Sequence, residues 1–198
     1  GTWQPYRTQA VLDALTGMTG FTTDIDVDVF LLPSPAAFTG SSFARRDAIF
    51  LAPARGEIAD QTAAYIVTHE MGHVLTWAFI DSHPGRWRAY AELRGLTAAN
   101  FAPQARHADR AREVLAEDIR YLFGGPLATS GTGIENHALC LPDQVAGLRS
   151  LLAGYLGGSA TAKAPATCTA YPNPCNPRTT IEMVLPPGRA GMAASTTL

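Results

Sequence analysis

Long apolar runs are missing from this chain. None approaches the roughly 18 residues that a membrane-spanning helix needs, so no such span is expected in it. An excess of one charge is missing too. Fifteen Lys and Arg stand against seventeen Asp and Glu, a formal net charge of −2, which gives no basis for binding nucleic acid or another polyanion. Charged residues are only 16% of the chain and hydrophobic ones 46%, the reverse of a disordered composition. Cysteine is scarce, with Cys140, Cys168 and Cys175 the three in the chain. A Cys168–Cys175 bridge and three free thiols both fit them, so they leave the compartment undecided. No internal repeat is present. No signal peptide opens the numbering at Gly1, which suits a cytosolic chain or one whose signal has been removed. What remains is 198 residues, enough for one well-cored domain plus an appendage.

The spacing of apolar residues predicts the elements. Val11, Leu12 and Leu15 predict a short helix over 5–15, stopped by the run from Thr16 to Gly20. Residues 21–32 alternate, with Ile25, Val27 and Val29 against Asp24, Asp26 and Asp28, and read as a half-buried strand. Residues 40–42 read as a turn, and 47–51 as a second strand closed by Pro53. A long apolar helix is predicted over 61–79 with Asp60 as its N-cap. A short one follows over 86–93, ended by Gly95. Another spans 107–123, stopped by Gly124, Gly125 and Pro126. A glycine-rich loop over 128–135 precedes a last helix that Pro142 opens and Gly157 closes. Composition then changes: 158–169 is small and polar and reads as a linker. Residues 170–185 carry prolines and then an alternating Ile181, Met183 and Leu185. The expected domains are therefore 1–157, a linker over 158–169, and a tail over 170–198.

One pentapeptide inside the long helix carries chemistry. His69-Glu70-Met71-Gly72-His73 is an H-E-x-x-H sequence with uncharged residues between its ends. Residues four apart share a helix face. His69 and His73 can thus point at one metal ion, and Glu70 can handle a proton beside it. Gly72 costs about 1 kcal/mol relative to Ala in mid-helix, and a small residue there allows another element to come close. An apolar helix is also a poor place for a Glu and two His without a task.

Two histidines do not complete a catalytic zinc site, which usually takes three protein ligands and a water. One zincin class extends the motif as H-E-x-x-H-x-x-G-x-x-H. Thr76 and Phe79 occupy the required Gly and His positions here, so that class is excluded. The other solution is a carboxylate from a later helix, for which Glu113, Glu117 and Asp118 are candidates. Glu113, Glu117 and Tyr121 share a face at successive fourth positions, while Asp118 is turned about 100° from Glu117.

Residues 67–75, followed by Glu113-Val114-Leu115-Ala116-Glu117-Asp118, resemble the gluzincin metallopeptidases. They are most similar to the branch with an E-x-x-A-E pattern that includes anthrax lethal factor and the Pro-Pro endopeptidases. The resemblance covers about residues 58–125. It implies an α+β, zincin-like fold, with a small sheet packed on the active-site helix and a helical C-terminal subdomain. It also implies Zn²⁺ held by His69, His73 and Glu113, with Glu117 as a supporting residue that fixes a histidine tautomer. The chain lacks the extra domains of lethal factor, so no toxin role follows.

A second resemblance lies in the tail. Tyr171-Pro172-Asn173-Pro174-Cys175-Asn176-Pro177-Arg178-Thr179-Thr180-Ile181 is similar to the opening of the immunoglobulin-like C-terminal sorting domains of bacterial type IX secretion cargo, with Cys175 in place of the usual Phe. It implies a secreted or cell-surface protein that engages secretion machinery, ending in a short truncated β tail.

The expected activity is metalloendopeptidase cleavage of a peptide or protein substrate, with Glu70 as general base. For the oxyanion stabiliser, Tyr121, Tyr90 and His137 are the candidates. His83 and His107 read as ordinary surface residues, and Trp77 and Trp87 as core. The strand over 47–51 is a candidate cleft edge to which an extended peptide adds. An inactive zinc-containing adhesion module and a non-peptidase zinc hydrolase are the alternatives.

Overall fold

The computed structural model describes residues 2–33, 41–131 and 133–157, together with the backbone of 167–171, 180–184 and 194–197. The fold is α+β, with six α-helices and small sheets among the described residues. Strand β1 (Trp3–Gln4) precedes helix α1 (Thr8–Gly17). Strands β2 (Val27–Leu31), β3 (Phe43–Ala44), β4 (Ala48–Leu51) and β5 (Ala54–Arg55) follow. Helices α2 (Asp60–Phe79), α3 (Pro84–Arg94), α4 (Ala111–Phe123), α5 (Gly125–Thr129) and α6 (Leu148–Tyr155) complete the helical part. Strands β6 (Thr167–Tyr171), β7 (Thr180–Val184) and β8 (Ala194–Thr197) come last.

The largest sheet has the order β3-β4-β2-β8, with β3 antiparallel to β4 and the other neighbours parallel. The aspartate alternation holds in shorter form. Val27, Val29 and Leu31 are buried while Asp24, Asp26 and Asp28 are exposed, yet the strand begins only at Val27. Its partner β4 is four residues long, so the ladder between them runs only from Asp28 to Leu31. Strand β4 lies between β3 and β2. It is therefore not the edge expected of residues 47–51. The edge on that side of the sheet is β3, a two-residue strand too short to stand out in the sequence.

Helix α2 is the centre of the molecule. It packs on α1, α4, α5, β3 and β4, and most of its middle is buried, from Val67 and Thr68 through Met71 to Leu75 and Thr76, with His73 only half-buried. Each fully buried Val, Leu or Met side chain contributes about 1.5–3 kcal/mol. The buried hydroxyls of Thr68 and Thr76 donate back to the carbonyls of Ala64 and Gly72 at 2.7 and 2.8 Å, so neither is left unpaired. Ala59, not Asp60, is the N-cap. Asp60 sits in the first turn, where a carboxylate favours the helix dipole, and pairs with Arg7.

Three boundaries differ in ways that matter. Helix α4 begins at Ala111, because Arg110 is extended (φ −66°, ψ 134°) and His107–Asp109 forms a separate 3₁₀ turn. Residues 125–129 form α5 where the helix was expected to give way to loop. The last helix starts at Leu148, after a 3₁₀ turn at Pro142–Gln144 and a left-handed Gly147 (φ 85°). Helices α1 and α3 match their expected spans to within three residues. Strands β6 and β7 pair antiparallel, so β6 begins inside the expected linker. The Pro172–Thr179 part of the sorting motif, the Cys168–Cys175 pairing and Gly40 of the expected turn lie outside the described residues. Cys140 is a free thiol. No described helix is long and apolar enough to cross a membrane.

Gly72 sits where α2 meets α4. A Cβ there would lie 2.8 Å from both Cα and O of Ala116, and backbone atoms cannot yield cheaply. Alanine normally stabilises a helix by about 1 kcal/mol over glycine. Here Gly72→Ala is expected to destabilise the protein by about 1–3 kcal/mol through overpacking, read by chemical denaturation. A gain in stability would contradict the contact.

Candidate metal centre

The α2–α4 crossing brings the two motifs together. Glu113 Oε2 lies 3.1 Å from His73 Nε2 and 3.4 Å from His69 Nε2. The candidate ligand atoms of the three residues all fall within 4.8 Å of one another. A tetrahedral zinc with bonds of roughly 2.0–2.1 Å has ligand–ligand edges of roughly 3.3–3.4 Å. The donor set and its two carboxylate–imidazole spacings therefore fit such an ion.

Glu117, one turn further along α4, is fully engaged elsewhere. It accepts from five donors: His69 Nδ1 at 2.8 Å, Tyr65 Oη at 3.0 Å, Arg120 Nε at 2.9 Å, Arg120 Nη2 at 3.0 Å and the Glu135 amide at 3.1 Å. A carboxylate offers about four lone-pair sites, so this one has nothing left for an ion. Its bond to Nδ1 fixes the His69 ring and turns Nε2 toward Glu113 and His73. Arg120 is itself completely buried, donating to the Ala128 and Gly133 carbonyls at 2.6 and 2.5 Å, with its guanidinium 4.1 Å over the Tyr65 ring. Asp118, on another face of α4, is held by Arg94 at 2.9 Å and by the Tyr90 hydroxyl at 2.7 Å. Burial pushes its carboxyl up to about 6, against the pull of both partners.

Charge in the site follows the same contacts. Burial opposes a charged His69, but hydrogen bonds to Glu113 and Glu117 overcome it and raise the imidazole to about 10. Burial likewise opposes a charged Glu113, and its bonds to His69 and His73 hold it well below the usual carboxylate range. Glu117 falls to about 2 for the same kind of reason, with Arg120 assisting. Glu70 behaves differently. Burial raises it, His69 and His73 lower it less, and its carboxylate has no hydrogen-bond partner among the described residues. Metal-free His69 is thus protonated throughout the neutral range, and an ion must displace its proton. Between pH 6.5 and 8.5, zinc affinity is expected to rise about tenfold per pH unit. Calorimetry in buffers of different ionisation enthalpy should find about one proton released per ion; a pH-independent affinity would contradict this charge state.

His69, Glu70, His73 and Glu113 line a cleft of about 320 Å³, together with Ser41–Ala44, Tyr65, Trp77, His107 and Glu135 among others. Several of these were not expected. His107 approaches Glu113 Oε2 to 3.4 Å and Glu135 to 3.8 Å, because the 3₁₀ turn before α4 folds it back over the site. Trp77 packs against the core as expected and also lines the cleft, its ring 6.2 Å from that of His73. Tyr65 and Trp77 extend the His69–His73 stripe by one fourth-position step each way, a signal readable from spacing. His107, Glu135 and Arg120 had no such signal, since tertiary contacts alone bring them in.

The expected oxyanion candidates lie elsewhere. Tyr121 does not line the cleft; it stands two turns beyond Glu113, about 12 Å along the axis, with the Arg120 guanidinium 6.0 Å from its ring. His137 is exposed on the following loop, outside the cleft. Tyr90 is wholly buried against Asp118.

The chain matches no protein-family model, no curated protein and no solved structure.

Proposed function

We propose that this chain is a zinc-dependent endopeptidase of gluzincin type, built on a zincin-like arrangement of sheet and active-site helix. The observation that carries the reading is the convergence of His69, His73 and Glu113 beside a buried, unbonded Glu70 in one cleft. A bound zinc ion would lower the pKa of a water at the site and polarise a peptide carbonyl. His69, His73 and Glu113 would hold it, and Glu117 keeps the His69 ring in place.

Glu70 takes the proton of the attacking water and passes it to the leaving amine, a task suited to a carboxylate whose pKa is raised. His107, at the cleft mouth, replaces Tyr121 and His137 as the donor toward the carbonyl oxygen. The outer edge of β3 lines the same cleft and pairs only with β4 among the described residues. An extended substrate adds to it as a further strand. Hydrogen–deuterium exchange with a bound peptide inhibitor should then protect residues 41–44, and unchanged exchange there would remove β3 from the substrate path. The Tyr171–Ile181 sequence supports a secreted or cell-surface protein.

The deciding experiment is a quenched-peptide assay with and without chelator, alongside metal analysis. Chelator-sensitive cleavage supports the peptidase. Stoichiometric zinc without cleavage of any peptide would leave the adhesion module or a non-peptidase hydrolase.

A further inference from the structure

A second cavity, of about 740 Å³, adjoins the cleft and shares Arg112 and Glu113 with it. Its walls include Pro84 and Trp87 of α3, and Phe101 and Pro103 from the segment before α4. Phe101 is half exposed and meets Trp87 edge to face at 5.6 Å. Trp87 cannot swing away. Its Nε1–H donates to Asp81 at 2.9 Å, and its ring packs against buried Tyr90 at 5.9 Å.

The polar groups of this wall are largely spent on one another. Arg112 Nη2 donates to Asp81 at 2.6 Å, and the guanidinium lies between the indoles of Trp77 and Trp87, at 5.5 and 5.8 Å. Such cation–π contacts contribute roughly 0.5–2 kcal/mol. What the wall offers a ligand is therefore aromatic and prolyl surface. One donor is left over. Arg112 Nη1 is buried without a hydrogen-bond partner among the described residues.

We propose that this cavity is a specificity subsite that takes a large apolar or aromatic side chain of the substrate, from a residue adjoining the scissile bond. The placement rests on the peptidase reading, because the cavity's inner wall carries Glu113, a ligand in that reading. The occupant follows from the walls themselves. The volume lies within the roughly 300–1,000 Å³ of small-molecule sites, ample for Phe, Trp or Leu. A rigid apolar pocket discriminates by roughly 10–200-fold for each methylene filled or left empty.

The test has two arms. In the first, the zinc-loaded chain is profiled on paired peptides that differ only by Phe or Ala at each position flanking the cleaved bond. At one position, kcat/KM for Phe should exceed that for Ala by at least about tenfold. Phe101→Ala, a half-exposed change with little bearing on folding, should bring that ratio near one at unchanged zinc content, and Ala102→Trp should do so by filling the space. Cleavage without such a preference, or a preference surviving both variants, overturns the proposal. In the second arm, the metal-free chain is titrated with N-acetyl-phenylalanine amide and N-acetyl-alanine amide while the Trp87 indole N–H resonance is followed. A shift with the first amide alone supports the cavity's selectivity, even for a chain that cleaves nothing, and so separates the two readings. Equal responses, or none, overturn it.

Discussion

The Glu113→Ala protein is expected to lose stoichiometric zinc while Glu117→Gln retains a weakened site. Glu113 Oε2 stands within 3.4 Å of both imidazole Nε2 atoms, so truncating it removes one of three donors outright. Glu117 acts one bond further out, through His69 Nδ1. Losing such a supporting partner typically lowers metal affinity about 10–100-fold, and the loss at Glu113 should exceed that. Glutamine is the milder change at Glu117, because it keeps one acceptor oxygen, whereas alanine takes both from the buried Arg120 guanidinium and costs about 3–5 kcal/mol of stability. Metal analysis and competition with a chromophoric chelator measure both variants. The opposite order of affinities would sink the ligand assignment.

Glu70→Gln should leave zinc content intact and lower kcat by about 10²–10⁴-fold, the usual contribution of a positioned acid–base group. The carboxylate lines the cleft without a hydrogen-bond partner among the described residues, so its amide isostere disturbs little besides proton transfer. KM should change far less than kcat. If Glu70→Gln cleaved peptides at the wild-type rate, the residue would have no part in the chemistry and the peptidase mechanism would need another base.

Much of the site was legible because helical spacing is local. His69 with His73, and Glu113 with Glu117, are pairs four apart, and each pair shares one helix face. The small residue at position 72 was legible as a point of close approach; its counterpart was not. Ala116 turns out to be the surface against which Gly72 rests, which gives a physical reason for alanine within the E-x-x-A-E spacing. The choice between Glu113 and Glu117 was beyond local spacing, since both lie on the same face. The structure separates them by what else each touches: five donors occupy Glu117, and the two histidines meet at Glu113. His107 is exposed, as its place beside a helix start suggested, and its approach to Glu113 was not legible, because extended Arg110 breaks the 107–123 helix and turns His107 back. The cleft edge was misplaced for a related reason. β3 is two residues long, and no periodicity can be read from two residues.

The Arg120 contacts have a consequence for which changes the chain can absorb. Surface connections usually accept insertions at little thermodynamic cost. The stretch from Ala128, near the end of α5, to Glu135 is an exception, because Arg120 grips the Ala128 and Gly133 carbonyls and Glu117 accepts from the Glu135 amide. Lengthening it by a residue between those points would pull on the same carboxylate that orients His69. Diversity in loop length should accordingly gather elsewhere than in this stretch.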